Sequence, residues 1–127
     1  WITDQALRFL EQQRKGEDPF CLFMATNVIH GPSHGTNIVE IDPRISHGGI
    51  LDQAPDVQPS RRSIVDRLEA AGVGPTHRSV GMLWLDDAVD AVVRKVKDLG
   101  VYNDTIFVYM AAWWGNGRCT KTGRAFP

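Results

Sequence analysis

The apolar positions of this chain change period along its length, and that change predicts most of its elements. From residue 2 onward Ile2, Ala6, Phe9 and Leu10 recur at helical spacing, which predicts a helix over residues 3–14. Thr3 is its expected N-cap, Asp4 suits the first turn, and Gly16 with Glu17-Asp18-Pro19 ends it. Residues 20–25 then read Phe-Cys-Leu-Phe-Met-Ala, an apolar run of strand length that suits a central strand covered on both faces.

Residues 26–59 lose all periodicity and collect turn formers: His30-Gly31-Pro32, Asp42-Pro43, Gly48-Gly49 and Ala54-Pro55. So long a loop usually forms an active-site wall, or lacks something that should cover it. One short strand-like piece is expected at residues 37–41. A second helix is predicted over residues 60–71, with Ser60 as N-cap, Ile64, Val65 and Leu68 on its apolar face, and Gly72 as its stop. The third, over residues 79–99, carries the clearest signal. Met82, Leu85, Val89, Val92, Val96 and Leu99 alternate spacings of three and four, and Gly100 closes the helix. Residues 105–110, Thr-Ile-Phe-Val-Tyr-Met, form a second strand-like run rich in β-branched and aromatic side chains, followed by a coil tail. Two apolar strands joined through amphipathic helices predict a layered α/β arrangement with a largely parallel sheet. Two central strands do not make a stable sheet, so their neighbours are expected from a longer chain, a partner or the loop.

Composition narrows the function classes. With 127 residues there is room for one domain, and 43% hydrophobic with 23% charged side chains is a globular balance. Fourteen basic and 15 acidic residues leave a net charge of −1 with no basic block, which argues against nucleic acid as a partner. No apolar run approaches the roughly 20 residues of a membrane span. The start, Trp1-Ile2-Thr3-Asp4, shows neither a signal-peptide pattern nor an initiator Met, which is expected of a piece processed from something longer. Cys21 and Cys119 lack metal-ligand spacing, and Cys21 is expected to be a buried structural thiol.

Two stretches carry more than periodicity. Ile-Thr-Asp-Gln-Ala-Leu-Arg-Phe-Leu through Ile29-His30-Gly31-Pro32 resembles the part of sulfatases that runs helix, turn, strand, then an Asn-x-Pro-His-x-Pro-like loop. Residues 82–110, with Leu85-Asp86, then Gly100 and Asn103-Asp104-Thr105 before an apolar run, resemble that family's long helix and following strand. The two occur in family order and cover about half of the chain. The resemblance implies a fragment of a layered α/β/α sulfatase-type domain, and a two-step hydrolysis of sulfate esters. In that chemistry a formylglycine attacks sulfur beside Ca²⁺ or Mg²⁺, and histidine and lysine side chains hold the sulfate oxygens.

Carried over residue by residue, the resemblance puts His30 on the sulfate-contacting histidine, although Ile29 stands where proline is usual. Lys121, in Lys121-Thr122-Gly123, is a weak echo of the family's sulfate-binding lysine; as an isolated residue it reads as an ordinary surface lysine. The metal-binding Ser-Asp-(Asn/His)-Gly is replaced by Ala111-Ala112-Trp113-Trp114-Gly115, and neither Ala112 nor Trp113 offers a hard cation an oxygen ligand. Neither cysteine lies in the Cys-x-(Pro/Ala)-x-Arg pattern of the nucleophile. Hence no metal or cofactor site is expected within this chain, and sulfatase activity is not expected from it alone. A remainder of the domain or a complementing chain is the expected partner, with a sulfate ester as substrate once complete. The alternative expectation is a non-catalytic binding module that uses Trp113-Trp114 or the long loop as its contact surface.

Other constellations read as structure. His30 and His34 sit four apart, with His47 further on, but Gly31, Pro32 and Gly35 around the pair deprive that spacing of helical meaning, so a zinc site is not expected. Asp86, Asp87 and Asp90 are acidic enough for a cation, yet Asp86 and Asp90, four apart on a helix, belong on a solvated face. Gly115-Asn116-Gly117 is a turn signal without a phosphate-loop pattern.

Overall fold

The computed structural model describes residues 1–14, 18–26, 37–46 and 48–110. Within them the chain runs through helices α1 (Ile2–Gln13) and α2 (Asn37–Glu40), a minimal hairpin of β1 (Ile45–Ser46) and β2 (Gly49–Ile50), and helices α3 (Ser63–Ala70) and α4 (His77–Asp98). A 3₁₀ turn, Tyr102–Asp104, follows α4. Helix accounts for 51% of the described residues and strand for 4%, so the expected layered α/β arrangement with a largely parallel sheet is overturned. The two strands present are antiparallel, with Ile45 opposite Ile50 and Ser46 opposite Gly49.

The reason lies in the two apolar runs. Residues 20–25 and 105–110 form neither helix nor ladder among the described residues. The first keeps the two-residue alternation of a strand, whereas Ile106 to Met110 are all exposed. In the first, Phe20, Leu22 and Met24 are half-buried while Cys21, Phe23 and Ala25 are exposed. Strands need hydrogen-bonded neighbours on their edges and cover on both faces; no described residue pairs with either run, and the first is sheltered on one side only, where Phe20 meets Phe9. The expectation that Cys21 is buried therefore fails: the thiol is free and exposed.

The helices, in contrast, satisfy themselves. α4 is the spine, with α1 and α3 packed on it. α3 and the start of α4 bury Ile64, Leu68 and Val80, with Ile38, Val39, Leu83 and Trp84 packed around them. α1 buries Ala6 and Leu10. Both α3 and α4 end in the same device. Gly72 (φ 70°) and Gly100 (φ 77°) adopt the left-handed backbone that favours glycine. Their N–H groups donate to the carbonyls of Glu69 and Lys97, and the next residues, Val73 and Val101, donate to Leu68 and Val96.

The starts differ more from expectation. α1 begins at Ile2, and Thr3 is buried inside it rather than capping it, its hydroxyl donating to Gln58 Oε1 at 2.9 Å. Gln58 in turn donates to the carbonyl of Trp84, so residues 57–59 strap the start of α1 to α4. α3 begins at Ser63 after a turn, with Ser60 accepting from the Ser63 N–H through both its carbonyl and its hydroxyl. α4 starts two residues earlier than expected, on a capping box in which the Thr76 hydroxyl accepts from Ser79 N–H and Ser79 Oγ accepts from Thr76 N–H. Residues 37–40 form a helical turn, not the strand-like piece expected there.

Candidate functional site

Of the residues singled out for chemistry, His30, His34, His47, Ala112, Trp113, Trp114, Cys119 and Lys121 all lie outside the described residues. What the structure does place is α4 and everything packed on it, and α4 carries two distinct apolar faces.

The first packs inward. Val80, Trp84, Ala88 and Ala91 fall within about 80° of helix surface, at 100° per residue, and this is the face that meets α1 and α3. Asp87 lies on it too. Its carboxylate is buried, with 7% of the residue exposed, and takes a bidentate pair of hydrogen bonds from Arg67 Nη1 and Nη2 at 2.8 and 2.5 Å. The carboxylate holds the Arg67 guanidinium proton more tightly and raises its pKa. This pair welds α3 to α4. Composition and spacing gave no clue to it beyond an acidic residue seven positions after Val80, on the packing stripe.

The carboxylates expected on a solvated face are split by this packing. Asp86 is exposed as expected. Asp90 is half-buried and ion-paired with Arg94, and Asp87 belongs to the interior. A shallow groove of about 230 Å³ runs between α1 and α4, with Leu7, Ala91 and Asp98 in its walls. Its charges are largely neutralised from within: Asp87 by Arg67, Asp90 by Arg94, and Lys95 by Glu11 of α1. No group of three or more His, Cys, Asp or Glu side chains able to hold a cation occurs among the described residues.

Arg61 is a second structural cation. Its Nη1 donates to the carbonyls of Ile38 and Ile41 at 3.4 and 3.2 Å, closing the end of α2, and its guanidinium lies 5.3 Å from the centre of the Trp84 ring. Burial against that ring lowers its pKa.

The second face of α4 is the notable surface. Of the six-residue stripe read from the sequence, Val96 is buried and Leu85, Val92 and Leu99 are half-buried, whereas Met82 and Val89 are exposed. With Tyr109 they line an open apolar groove of about 340 Å³. Residues 105–110 leave the 3₁₀ turn through Thr105 in extended backbone and run beside this face. Phe107 and Tyr109 are 46% and 68% exposed, whereas Ile106, Val108 and Met110 are 89%, 74% and 79% exposed. The odd positions are thus the more sheltered, with Phe107 also 5.8 Å from the Tyr102 ring. The even positions are bare. Met82, Val89 and Tyr109 are thus exposed side by side along one groove, a larger apolar exposure than an isolated surface leucine or valine produces.

Comparison with family models, curated proteins and solved structures finds no match for the chain in any of the three.

Proposed function

We propose that the chain is a segment of a sulfuric ester hydrolase that is inactive by itself and depends on further polypeptide to complete it. The motif resemblance around His30 and along residues 82–110 supplies the reaction class. The observation that carries the dependence is the bare apolar run at 106–110 beside the exposed Met82 and Val89 stripe. Apolar surface of this kind costs roughly 25 cal/mol per Å² to leave in water, so a covering partner would be strongly favoured. His30 would contribute a sulfate contact in the completed protein. The absent nucleophile motif, and Ala112 and Trp113 in place of oxygen ligands, account for inactivity of this segment.

Two measurements test the reading. An aryl sulfate incubated with the isolated chain, with and without Ca²⁺ or Mg²⁺, is expected to show no hydrolysis above background; turnover would overturn the inactivity. The mass of the native species containing these residues is expected to be several times the 14.1 kDa of the chain. A lone native monomer of that mass would instead favour the second reading, a non-catalytic binding module whose contact surface is the same apolar groove.

A further inference from the structure

We propose that Asn103 is an acceptor for an N-linked glycan, a site independent of the hydrolase reading. Asn103-Asp104-Thr105 is an Asn-x-Thr triplet without proline in its middle, the pattern that oligosaccharyl transferases accept. The other three asparagines fail it: Asn27, Asn37 and Asn116 have Ile29, Val39 and Arg118 two places on. A triplet alone carries little, because it arises often by chance. What separates a usable one is whether the folded chain leaves its asparagine clear, since a glycan is bulky and hydrophilic and belongs on the surface.

The turn after α4 does so. Gly100, with φ 77°, takes the chain out of the helix, and the 3₁₀ turn Tyr102–Asp104 follows. Tyr102 is held on both sides, its ring 4.9 Å from Lys97 Nζ and 5.8 Å from the Phe107 ring. The two ends of the triplet then fare differently. Thr105 is half-buried; its hydroxyl donates to the Val101 carbonyl at 2.7 Å and its N–H to the Tyr102 carbonyl. Building the turn therefore accounts for the threonine. It does not account for the asparagine. Asn103 is exposed, and among the described residues its carboxamide takes part in no hydrogen bond. A sugar on Nδ2 would extend into water without displacing a packed side chain.

The place also suits a chain that needs covering elsewhere. At 1.5 Å per residue the end of α4 lies roughly 15 Å beyond Val89. A glycan on the turn leaves the groove of Met82 and Val89 open to further polypeptide and keeps that polypeptide off the turn.

The attachment is a group transfer with no change of oxidation state. The Asn103 carboxamide nitrogen attacks the anomeric carbon of a sugar carried on a polyprenyl pyrophosphate, the co-reactant. An N–C bond forms and the bond from that carbon to the pyrophosphate oxygen breaks. The electron pair leaves with the pyrophosphate, and the amide proton passes to a base of the transferase.

Peptide mapping of the native protein is the test. Trypsin releases residues 98–118 as one peptide that contains Asn103. Peptide N-glycosidase in oxygen-18 water turns a glycosylated asparagine into labelled aspartate. Fragmentation is expected to place the label on Asn103 and not on Asn116 of the same peptide. In the producing cells, Asn103→Gln and Thr105→Ala are each expected to lose the glycosidase-sensitive mass, whereas Thr105→Ser, which keeps the hydroxyl, retains it. The sugar is attached to the emerging chain, so this readout does not require a variant to fold. An unlabelled Asn103 in the native protein, or a glycan that survives Asn103→Gln, overturns the assignment.

Discussion

The helical region is half polar and the two runs are almost wholly apolar, yet it is the helical region that finds its partners. In the helices every backbone bond is local, so each element needs only one covered stripe. α1, α3 and α4 provide that for one another through Leu10, Ile64, Leu68 and Val80. The runs at 20–25 and 105–110 need neighbours on two edges and cover on two faces; no described residue pairs with them, and their cover is partial. Hydrophobicity states a demand; topology decides whether it is met.

The sharpest way to break this contrast is to truncate one apolar side chain in each region. Ile64 is fully buried in the α3–α4 core. Ile64→Ala should destabilise the chain by about 3 kcal/mol, because it loses transfer energy and leaves a cavity. Phe23, 83% exposed, should tolerate Phe23→Ser within about 0.5 kcal/mol. Urea melts followed by circular dichroism compare the two directly. Similar losses would show that the run at 20–25 is packed after all.

What was legible beforehand divides along the same line. Helices were readable because a three-four spacing names both the element and the face it must cover. Their stops were readable because Gly72 and Gly100 are where only a glycine enters the left-handed region at no cost. Strand-like character is also readable, and the alternating exposure of Phe20 to Ala25 retains it. The error came in the next step, from strand-like to buried strand in a parallel sheet. That step requires neighbours, and no local pattern records whether a neighbour exists. The stripe from Met82 to Leu99 is covered in part: Val96 is buried, while Met82 and Val89 stay exposed because Val80 and Ala88 carry the buried positions of that part of α4. Of the candidate site, His30 and Lys121 rest on motif resemblance and lie outside the described residues, whereas the Arg67–Asp87 pair is structural and had no motif to announce it.

That pair gives the next prediction. Asp87→Ala removes the acceptor for both Arg67 nitrogens and leaves a cation at the α3–α4 contact. Breaking a fully buried pair typically costs 3–5 kcal/mol. The Arg67 side chain keeps 37% of its exposure, so solvent screens the loss and about 2 kcal/mol is expected. Arg94→Ala, whose partner Asp90 lies on the outer side, should cost under about 1 kcal/mol. Equal effects from the two would mean that α3 is not held on α4 as described.

A smaller effect is expected at the start of α4. Thr76→Ala deletes the acceptor for the Ser79 N–H, and loss of an N-cap typically costs about 1 kcal/mol. Thr76→Asp restores an acceptor and adds favourable charge at the helix start, so it should recover most of that stability. Thr3→Ala should behave differently, since Thr3 does not cap α1 but donates to Gln58 across the fold. Its loss should appear as faster hydrogen exchange around residues 57–59, where a capping residue would instead fray the first turn of α1.

The smallest effect concerns order that depends on neither helix packing nor a sheet. Beside the hairpin, Arg44 donates from Nε and Nη2 to the Asp42 carboxylate, and its backbone N–H donates to Oδ1. The side-chain bonds first, then the backbone bond, hold the Asp42 pKa down to about 2 from an ordinary 3.8. A carboxyl lowered in the folded state contributes stability that is complete above its unfolded value and disappears as pH falls through the folded one. The contribution of Asp42 should therefore be intact at pH 5 and decline between about 3.8 and about 2. Carboxyl-carbon NMR titration should place the Asp42 midpoint near 2, and Arg44→Ala should return it toward 3.8. A midpoint near 3.8 in the unaltered chain would mean that this turn forms only transiently. Local polar bonds would then share the fate of the apolar runs, leaving the helices as the only region that orders itself without help.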